Sequence, residues 1–308
     1  MIPKIAVITG PTATGKTALG VALAKKTGGE IVSADSMQIY KHMDVGTAKP
    51  DTAEMAGVKH HMIDIVSPFE NYSVARYVRD AAACVDDIIL RGKLPIIVGG
   101  TGLYIDSLIA GRDFSAEGDD DLRRELSIRY DRLGGERMLS ELRKVDRESA
   151  DRLHANDKKR IVRALEVYQT TGMTITEHDK RTKSLPPRYE ARKIALSFAD
   201  RALLYDRINR RVDTMLEKGL LNEVRMLLDM GLTRAHTAMQ AIGYKEMIGV
   251  IVDNESMNDA VKRIKMESRR YAKRQLSWLR RDKSLHWIMW EKEPDFDNGL
   301  QISTMILE

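Results

Sequence analysis

Residues Gly10-Pro11-Thr12-Ala13-Thr14-Gly15-Lys16-Thr17 follow the pattern G-x-x-x-x-G-K-[ST], a set of residue types suited to holding a pyrophosphate. The glycines let the backbone curl until successive N–H groups point at one anion. A helix opening at Lys16 adds its N-terminal dipole. Lys16 supplies a mobile cation, and the Thr17 hydroxyl can ligate Mg²⁺. The motif follows the apolar run Ile5-Ala6-Val7-Ile8 and precedes a helical pattern that reaches Lys26. That context separates it from a chance glycine turn. The loop specifies a phosphate ligand without saying which one.

Three other groups of residues fall where they could serve the same site. Asp35-Ser36-Met37-Gln38 follows the strand-like Glu30–Ala34, and the carboxyl ends of parallel strands face the ligand crevice. Asp35 there is either a base or metal-water ligand, or the cap of a following helix. Gly99-Gly100-Thr101-Gly102 follows the strand-like Leu94–Val98. Three glycines in four residues suit either a close approach of backbone to ligand or a tight turn capped by Thr101. The third group lies on a helix spanning about residues 258–281. At 100° per residue Arg263, Arg270, Arg274 and Arg281 share one sector, and Lys262, Arg269, Lys273 and Arg280 the next, interrupted only by Glu267. Asn258–Lys283 holds ten Lys or Arg against three Asp or Glu. Such a face suits a phosphate backbone; the plainer alternative is an exposed basic surface.

These residues need elements to position them. Apolar strands at 5–8, 30–34, 61–65 and 94–98 alternate with helical patterns near 16–26 and 72–91. That alternation predicts an α/β fold, a P-loop NTPase-like parallel sheet covered on both faces. From Asp113 to Leu185 the chain reads as charged helices without a strand, closed by Leu185-Pro186-Pro187. Ile194–Phe198 then resumes the sheet, and residues 201–281 are helical. Residues 1–112 and 188–308 are therefore expected to form one core with basic C-terminal helices, and 113–187 a helical insertion domain.

Composition sets wider bounds. A chain of 308 residues, 43% hydrophobic and 31% charged, can bury a sizeable core. One cysteine, Cys84, excludes an internal disulfide framework. The start reads directly into a strand, not a signal peptide, and no apolar run reaches the length of a membrane span. A cytoplasmic monomer is the default expectation. The net charge of +5 hints at an acidic partner, and residues 188–308 carry 22 basic against 18 acidic side chains.

Taken in order, the segments resemble the tRNA dimethylallyltransferase family over nearly the whole chain. The resemblance rests on Gly10–Thr17, Ser33-Ala34-Asp35-Ser36-Met37-Gln38-Ile39-Tyr40, Asp44-Val45-Gly46-Thr47-Ala48-Lys49-Pro50 and His60-His61-Met62-Ile63-Asp64. It continues through Gly99–Tyr104, Arg160–Val167, Gln240–Glu246 and Tyr271–Arg280. It implies transfer of a dimethylallyl group from dimethylallyl diphosphate to N6 of the adenosine 3′ of the anticodon, tRNA position 37, with release of diphosphate. It further implies that the loop Gly10–Thr17 binds the diphosphate with Mg²⁺, although such loops are often described as ATP-binding. Asp35 would accept the N6 proton, with Lys16, Thr17 and Thr101 in the catalytic set. By the same resemblance Arg207 or Arg211, or both, contact the diphosphate. Contacts to the tRNA anticodon stem-loop fall on Asp35, Ser36, Met37, Gln38, Thr101, Arg123, Lys159, Arg160, Ile161, Val162 and Arg163. The basic-helix reading adds Arg270 and Arg274. Lys159 stands where the family commonly has glutamine, and Asp146-Arg147 where it usually has Asp-Pro. His60 and His61 have no third ligand at metal spacing and read as structural. The rivals are a prenyltransferase acting on AMP, ADP or ATP, a small-molecule P-loop kinase, and a non-catalytic tRNA-binding protein.

Overall fold

The structure is a computed structural model and describes residues 2–112 and 119–308. Strand β1 (Lys4–Thr9) leads through the phosphate loop into α1 (Lys16–Thr27), then β2 (Glu30–Ser33), the short α2 (Thr52–Met55), β3 (His60–His61), α3 (Val74–Leu90), β4 (Pro95–Val98) and α4 (Gly102–Ala110). After the helices α5 (Asp120–Leu133), α6 (Gly135–Val145), α7 (Arg147–Arg152), α8 (Lys158–Thr171) and α9 (Ile175–Ser184), strand β5 (Glu190–Phe198) rejoins the sheet. The chain ends with α10 (Arg201–Glu217), α11 (Leu220–Asp229), α12 (Tyr244–Val252), α13 (Met257–Leu279), β6 (His286–Trp290) and α14 (Phe296–Leu307).

The six strands form one parallel sheet in the order β3-β2-β4-β1-β5-β6. This is the expected α/β class with a P-loop NTPase-like core. The chain separates into two compact units, 1–109 with 188–308, and 110–187. The expected start of the insertion, residue 113, lies outside the described residues. In the first unit Ile8, Leu19, Leu23, Ile96, Leu196 and Ile208 belong to one buried apolar cluster around the sheet. The second unit is helical and has its own core, built on Leu126, Met138, Leu142, Ala150, Ile161 and Leu165.

The sequence reading and the structure differ at three places. The strand expected at 61–65 is only His60–His61, because Met62 (φ 63°) and Asp64 (φ 56°) adopt left-handed backbone that no strand accepts. Strand β5 begins at Glu190 rather than Ile194, and its charged first half pairs with β1 from Lys4 onward. Beyond residue 281 the sequence suggested no element, yet β6 forms the sheet edge and α14 packs on the α1 side of the core.

Candidate active site

Helix α1 has Gly15 (φ 86°) at its N-cap and no side-chain cap, so its first N–H groups are left for an anion. Gly10 (φ 144°) makes the loop possible: a Cβ there would lie 2.4 Å from the Leu196 carbonyl oxygen. Within the loop the Thr14 hydroxyl and Lys16 Nζ both donate to the Pro11 carbonyl, at 2.9 and 2.7 Å. The elements missed in the sequence support it from behind. Trp290 of β6 donates its indole N–H to the Thr14 carbonyl at 3.0 Å, and the Phe296 ring fills the space a Cβ on Gly15 would need.

Asp35 sits just past the end of β2. Its Oδ1 accepts from the backbone N–H of Met37 (2.8 Å) and Gln38 (3.3 Å), which leaves Oδ2 for the cavity it lines. Residues 36–39 form a turn and no helix, so Asp35 is not a helix cap. The Thr101 hydroxyl accepts from Ser36 N–H at 3.2 Å instead of capping α4, which ties the two loops together. The glycines beside it serve close packing of the chain on itself. A Cβ on Gly99 would strike the Ala34 backbone, one on Gly100 the Gln275 amide, and one on Gly102 the Trp278 indole. Gly99 and Gly100 also line the cavity.

That cavity, of about 470 Å³, brings together Thr12, Lys16, Thr17, Asp35–Gln38, Arg211 and Arg274. A second cavity, of about 630 Å³, is lined by Ala13–Thr17, Arg207 and Arg211. Lys16, Thr17 and Arg211 belong to both, so the end of the phosphate loop lies where they meet. Burial, and then the nearby charge of Arg211, push the Lys16 amine down to about 7, against a smaller opposing pull from Asp35. Burial also lowers Arg211. Arg211 Nε is buried without a hydrogen-bond partner, and Nη2 reaches only the Thr47 carbonyl, at 3.5 Å.

Arg207 is placed differently. Its Nε donates to the Ala13 carbonyl at 3.2 Å, its Nη1 pairs with Glu293, and its guanidinium lies 5.5 Å from the Phe198 ring centroid. Gln275 was not singled out by sequence. It is buried on α13, accepts from Thr12 N–H at 3.0 Å and donates to the Gly100 carbonyl at 2.9 Å. A buried amide in a cationic helix was the available signal. Tyr271, one turn earlier, also lines the cavity, and burial raises its hydroxyl to about 12.

The basic face of α13 is less uniform than its sequence. Lys262 pairs with Asp259, Arg263 with Glu255 and Arg270 with Glu267, while Arg269 donates to Asn209. Among the described residues Lys273, Arg274, Arg280 and Arg281 have no carboxylate partner, so free charge collects at the C-terminal end of the helix.

In the helical unit Lys159 and Arg160 are exposed, whereas Ile161 and Val162 are buried in its core. The side chains of Ile161 and Val162 therefore offer no surface to a ligand. Arg123 and Arg163 converge on buried Glu166, with shortest contacts of 2.8 Å each. Asp146 caps α7 by accepting from Ser149 N–H at 3.0 Å, so Arg147 is simply its first helical residue. His61 pairs with Glu30 at 2.8 Å, whereas His60 Nδ1 lies 2.9 Å from the Val58 carbonyl, its Nε2 is buried without a partner, and the residue lines the first cavity.

No cluster of three or more His, Cys, Asp or Glu among the described residues could hold a metal unaided. Thr17 lines both cavities at the start of α1. That suits Mg²⁺, which keeps its waters and is held mainly through phosphate oxygens. No helix among the described residues is long and apolar enough to cross a membrane.

The family model described as IPP transferase matches residues 38–282, and that described as isopentenyl transferase matches residues 3–68. A tRNA dimethylallyltransferase of Acetivibrio thermocellus is 46% identical over 300 residues, covering 97% of this chain and 95% of its own. One from Geobacillus thermodenitrificans is 50% identical over 289 residues, covering 94% and 91%. The solved structure of a tRNA isopentenylpyrophosphate transferase from Bacillus halodurans superposes with a TM-score of 0.74 at 41% identity, covering 99% of this chain and 95% of that one. A eukaryotic dimethylallyltransferase acting on tRNA gives a TM-score of 0.82 at 28% identity, covering 98% and 78%.

Proposed function

The chain belongs to the IPP transferase family and modifies tRNA by prenyl transfer, and from that premise we propose that dimethylallyl diphosphate is the donor and N6 of adenosine 37 the acceptor. The observation that carries this reading is the meeting of two cations, Lys16 and Arg211, with one carboxylate, Asp35, around a single cavity at the end of the phosphate loop. The cations suit a departing diphosphate. The carboxylate suits an incoming amine.

In the reaction N6 forms a bond to C1 of the allyl group while the C1–O bond breaks. The bonding pair leaves with the diphosphate, and the N6 proton passes to Asp35. Lys16, Arg211 and the N–H groups of Gly15–Thr17 stabilise the charge that builds on the leaving oxygen. Thr17 would hold Mg²⁺, which supplies further charge neutralisation there. Of the two arginines, Arg211 is the diphosphate ligand. Arg207 shapes the loop through Ala13, its charge already shared with Glu293.

The acceptor base must leave its stack to reach Asp35, so the stem-loop must be held. Lys273 and Arg274 on α13, with Arg280 and Arg281 just past its end, provide one cationic surface for this, with Arg270 a weaker contributor. In the helical unit Lys159, Arg160, Arg123 and Arg163 provide another. Ser36, Met37 and Gln38 line the cavity beside Asp35, and Thr101 holds Ser36 through its backbone N–H.

The test is to incubate the protein with unmodified tRNA, Mg²⁺ and labelled dimethylallyl diphosphate, with AMP and ATP as competing acceptors. Label in tRNA at position 37 supports the proposal. Label in AMP but not tRNA overturns the acceptor assignment, and phosphoryl transfer from ATP without prenylation would establish the kinase alternative.

A further inference from the structure

The loop Asp44–Pro50 forms part of the wall of both cavities: Thr47 lines the first, Asp44 and Val45 the second, and Ala48 and Pro50 both. The segment that leads into α12 also lines the first cavity, through Thr237, Gln240, Ala241, Ile242 and Lys245. Glu223 of α11 lines neither cavity, yet it joins both walls. Its Oε2 accepts from the backbone N–H of Asp44 at 2.8 Å and Val45 at 2.7 Å. Its Oε1 accepts from Gly46 N–H at 3.0 Å and from the Tyr244 hydroxyl at 2.5 Å.

Three successive N–H groups converging on one anion is the arrangement used by phosphate-binding loops, here filled by the protein's own carboxylate. Tyr244 is fully buried, and its ring lies so close to Gly46 that a Cβ there would be 2.4 Å from Cε2. The loop held in this way turns its carbonyls toward the chemistry. Thr47 O faces Arg211 Nη2 at 3.5 Å, and the carbonyls of Thr47 and Ala48 accept from Gln38 Nε2 at 3.4 and 3.2 Å.

We propose that Glu223 is a positioning residue for prenyl transfer. By tying the loop that orients Arg211 and Gln38 to the start of α12 packed against it, it holds the leaving-group side and the base side in register without touching either substrate. This rests on the prenyl-transfer reading above.

The test uses the full-length protein with unmodified tRNA, Mg²⁺ and labelled dimethylallyl diphosphate. Glu223→Gln keeps the side-chain length but presents an amide N–H₂ to groups that themselves donate. Tyr244→Phe removes one of the four bonds. For each variant Tm is measured first, then kcat and both KM values well below it. A misplacement of about 1 Å can cost about a hundredfold, so Glu223→Gln is expected to lower kcat/KM about 30-fold and Tyr244→Phe about fivefold. The double variant should lose less than the product of the two, because both act through one carboxylate. Glu223→Asp, which keeps two acceptor oxygens, should recover part of the loss. If Glu223→Gln folds with kcat and both KM within twofold and only Tm lowered, the residue is structural and the inference is overturned. If Glu223→Gln does not fold, unchanged kinetics in Tyr244→Phe overturn it equally. An unaltered protein that fails to label tRNA would instead sink the prenyl-transfer reading, and this inference with it.

Discussion

The Lys16 amine makes a prediction that can be worked through. In the free site it titrates near 7, lowered first by burial and then by the charge of Arg211. Below that pH it carries a proton, and above it the amine is bare. An anion bound at the loop favours the charged form, so binding at higher pH must draw a proton from solution. At pH 8 only about a tenth of free sites are protonated, so binding should take up about 0.9 proton if the bound amine returns to its ordinary range. At pH 6 the uptake should fall to about 0.1. Between pH 7 and the liganded pKa, affinity should fall by up to about tenfold per pH unit.

Calorimetry with dimethylallyl diphosphate, without tRNA, in two buffers of different ionisation enthalpy reads the uptake directly. At pH 8 the terminal phosphate, whose last proton leaves near pH 6, contributes almost nothing. Lys16→Arg retains the charge with a group that does not titrate in this range and should abolish the uptake. Binding at pH 8 without proton uptake, or uptake that survives Lys16→Arg, would refute the assignment of the low pKa to this amine and its place beside the anion.

The remaining predictions address the other parts of the site. Asp35→Asn should lower kcat about 10²–10⁴-fold while tRNA affinity stays within about twofold; loss of affinity alone would exclude a base role. Gln275→Leu leaves Thr12 N–H and Gly100 C=O unpaired and should cost about 2–4 kcal/mol, seen as a lower Tm, with a raised KM for the donor. Arg274→Ala with Arg280→Ala should flatten the salt dependence of tRNA binding by about one to two log units per log unit of salt, and Arg270→Ala by less, because Glu267 already neutralises it. Equal effects at all three positions would mean that the ion pairs on α13 open freely in the complex.

The parts of the molecule most legible in the sequence were those fixed by local rules. The phosphate loop needs only glycines, a strand before it and a helix after it, and each of these is a short-range pattern. The buried strands announced themselves as apolar runs. The strand expected at 61–65 failed because two positive-φ residues, Met62 and Asp64, are not glycine and give no sign of the turn they make. Strand β6, His-Trp-Ile-Met-Trp, is only five residues long at a sheet edge, and its Trp290 serves a carbonyl 276 positions earlier. Gln275 likewise gains its role from two backbone groups 263 and 175 positions away. Contacts of that range leave no periodicity to read. The same holds for charge: angular position on α13 suggests a cationic face, but which cations are neutralised depends on Asp259, Glu255 and Glu267.

The electrostatics of the site connect these observations. Lys16 and Arg211 are held near one another at the meeting of two cavities, each disfavoured by burial, and Lys16 further by its neighbour. Arg211 has one long contact and an unpartnered Nε, so its own hydrogen bonds do not offset that cost. Glu293 neutralises Arg207 and Glu267 neutralises Arg270, whereas Lys16 and Arg211 share the first cavity with Asp35, whose Oδ1 is committed to the backbone of Met37 and Gln38, and Glu54 acts on Arg211 from the second cavity. A pair of cations kept under-compensated is a poor way to stabilise a fold and a good way to bind a group with several negative charges. The same arrangement favours the products of C–O cleavage, because charge on the leaving oxygen grows where the compensation is missing. Glu223 fixes the wall that carries Thr47 from outside both cavities, so it adds no carboxylate to the first beside Asp35.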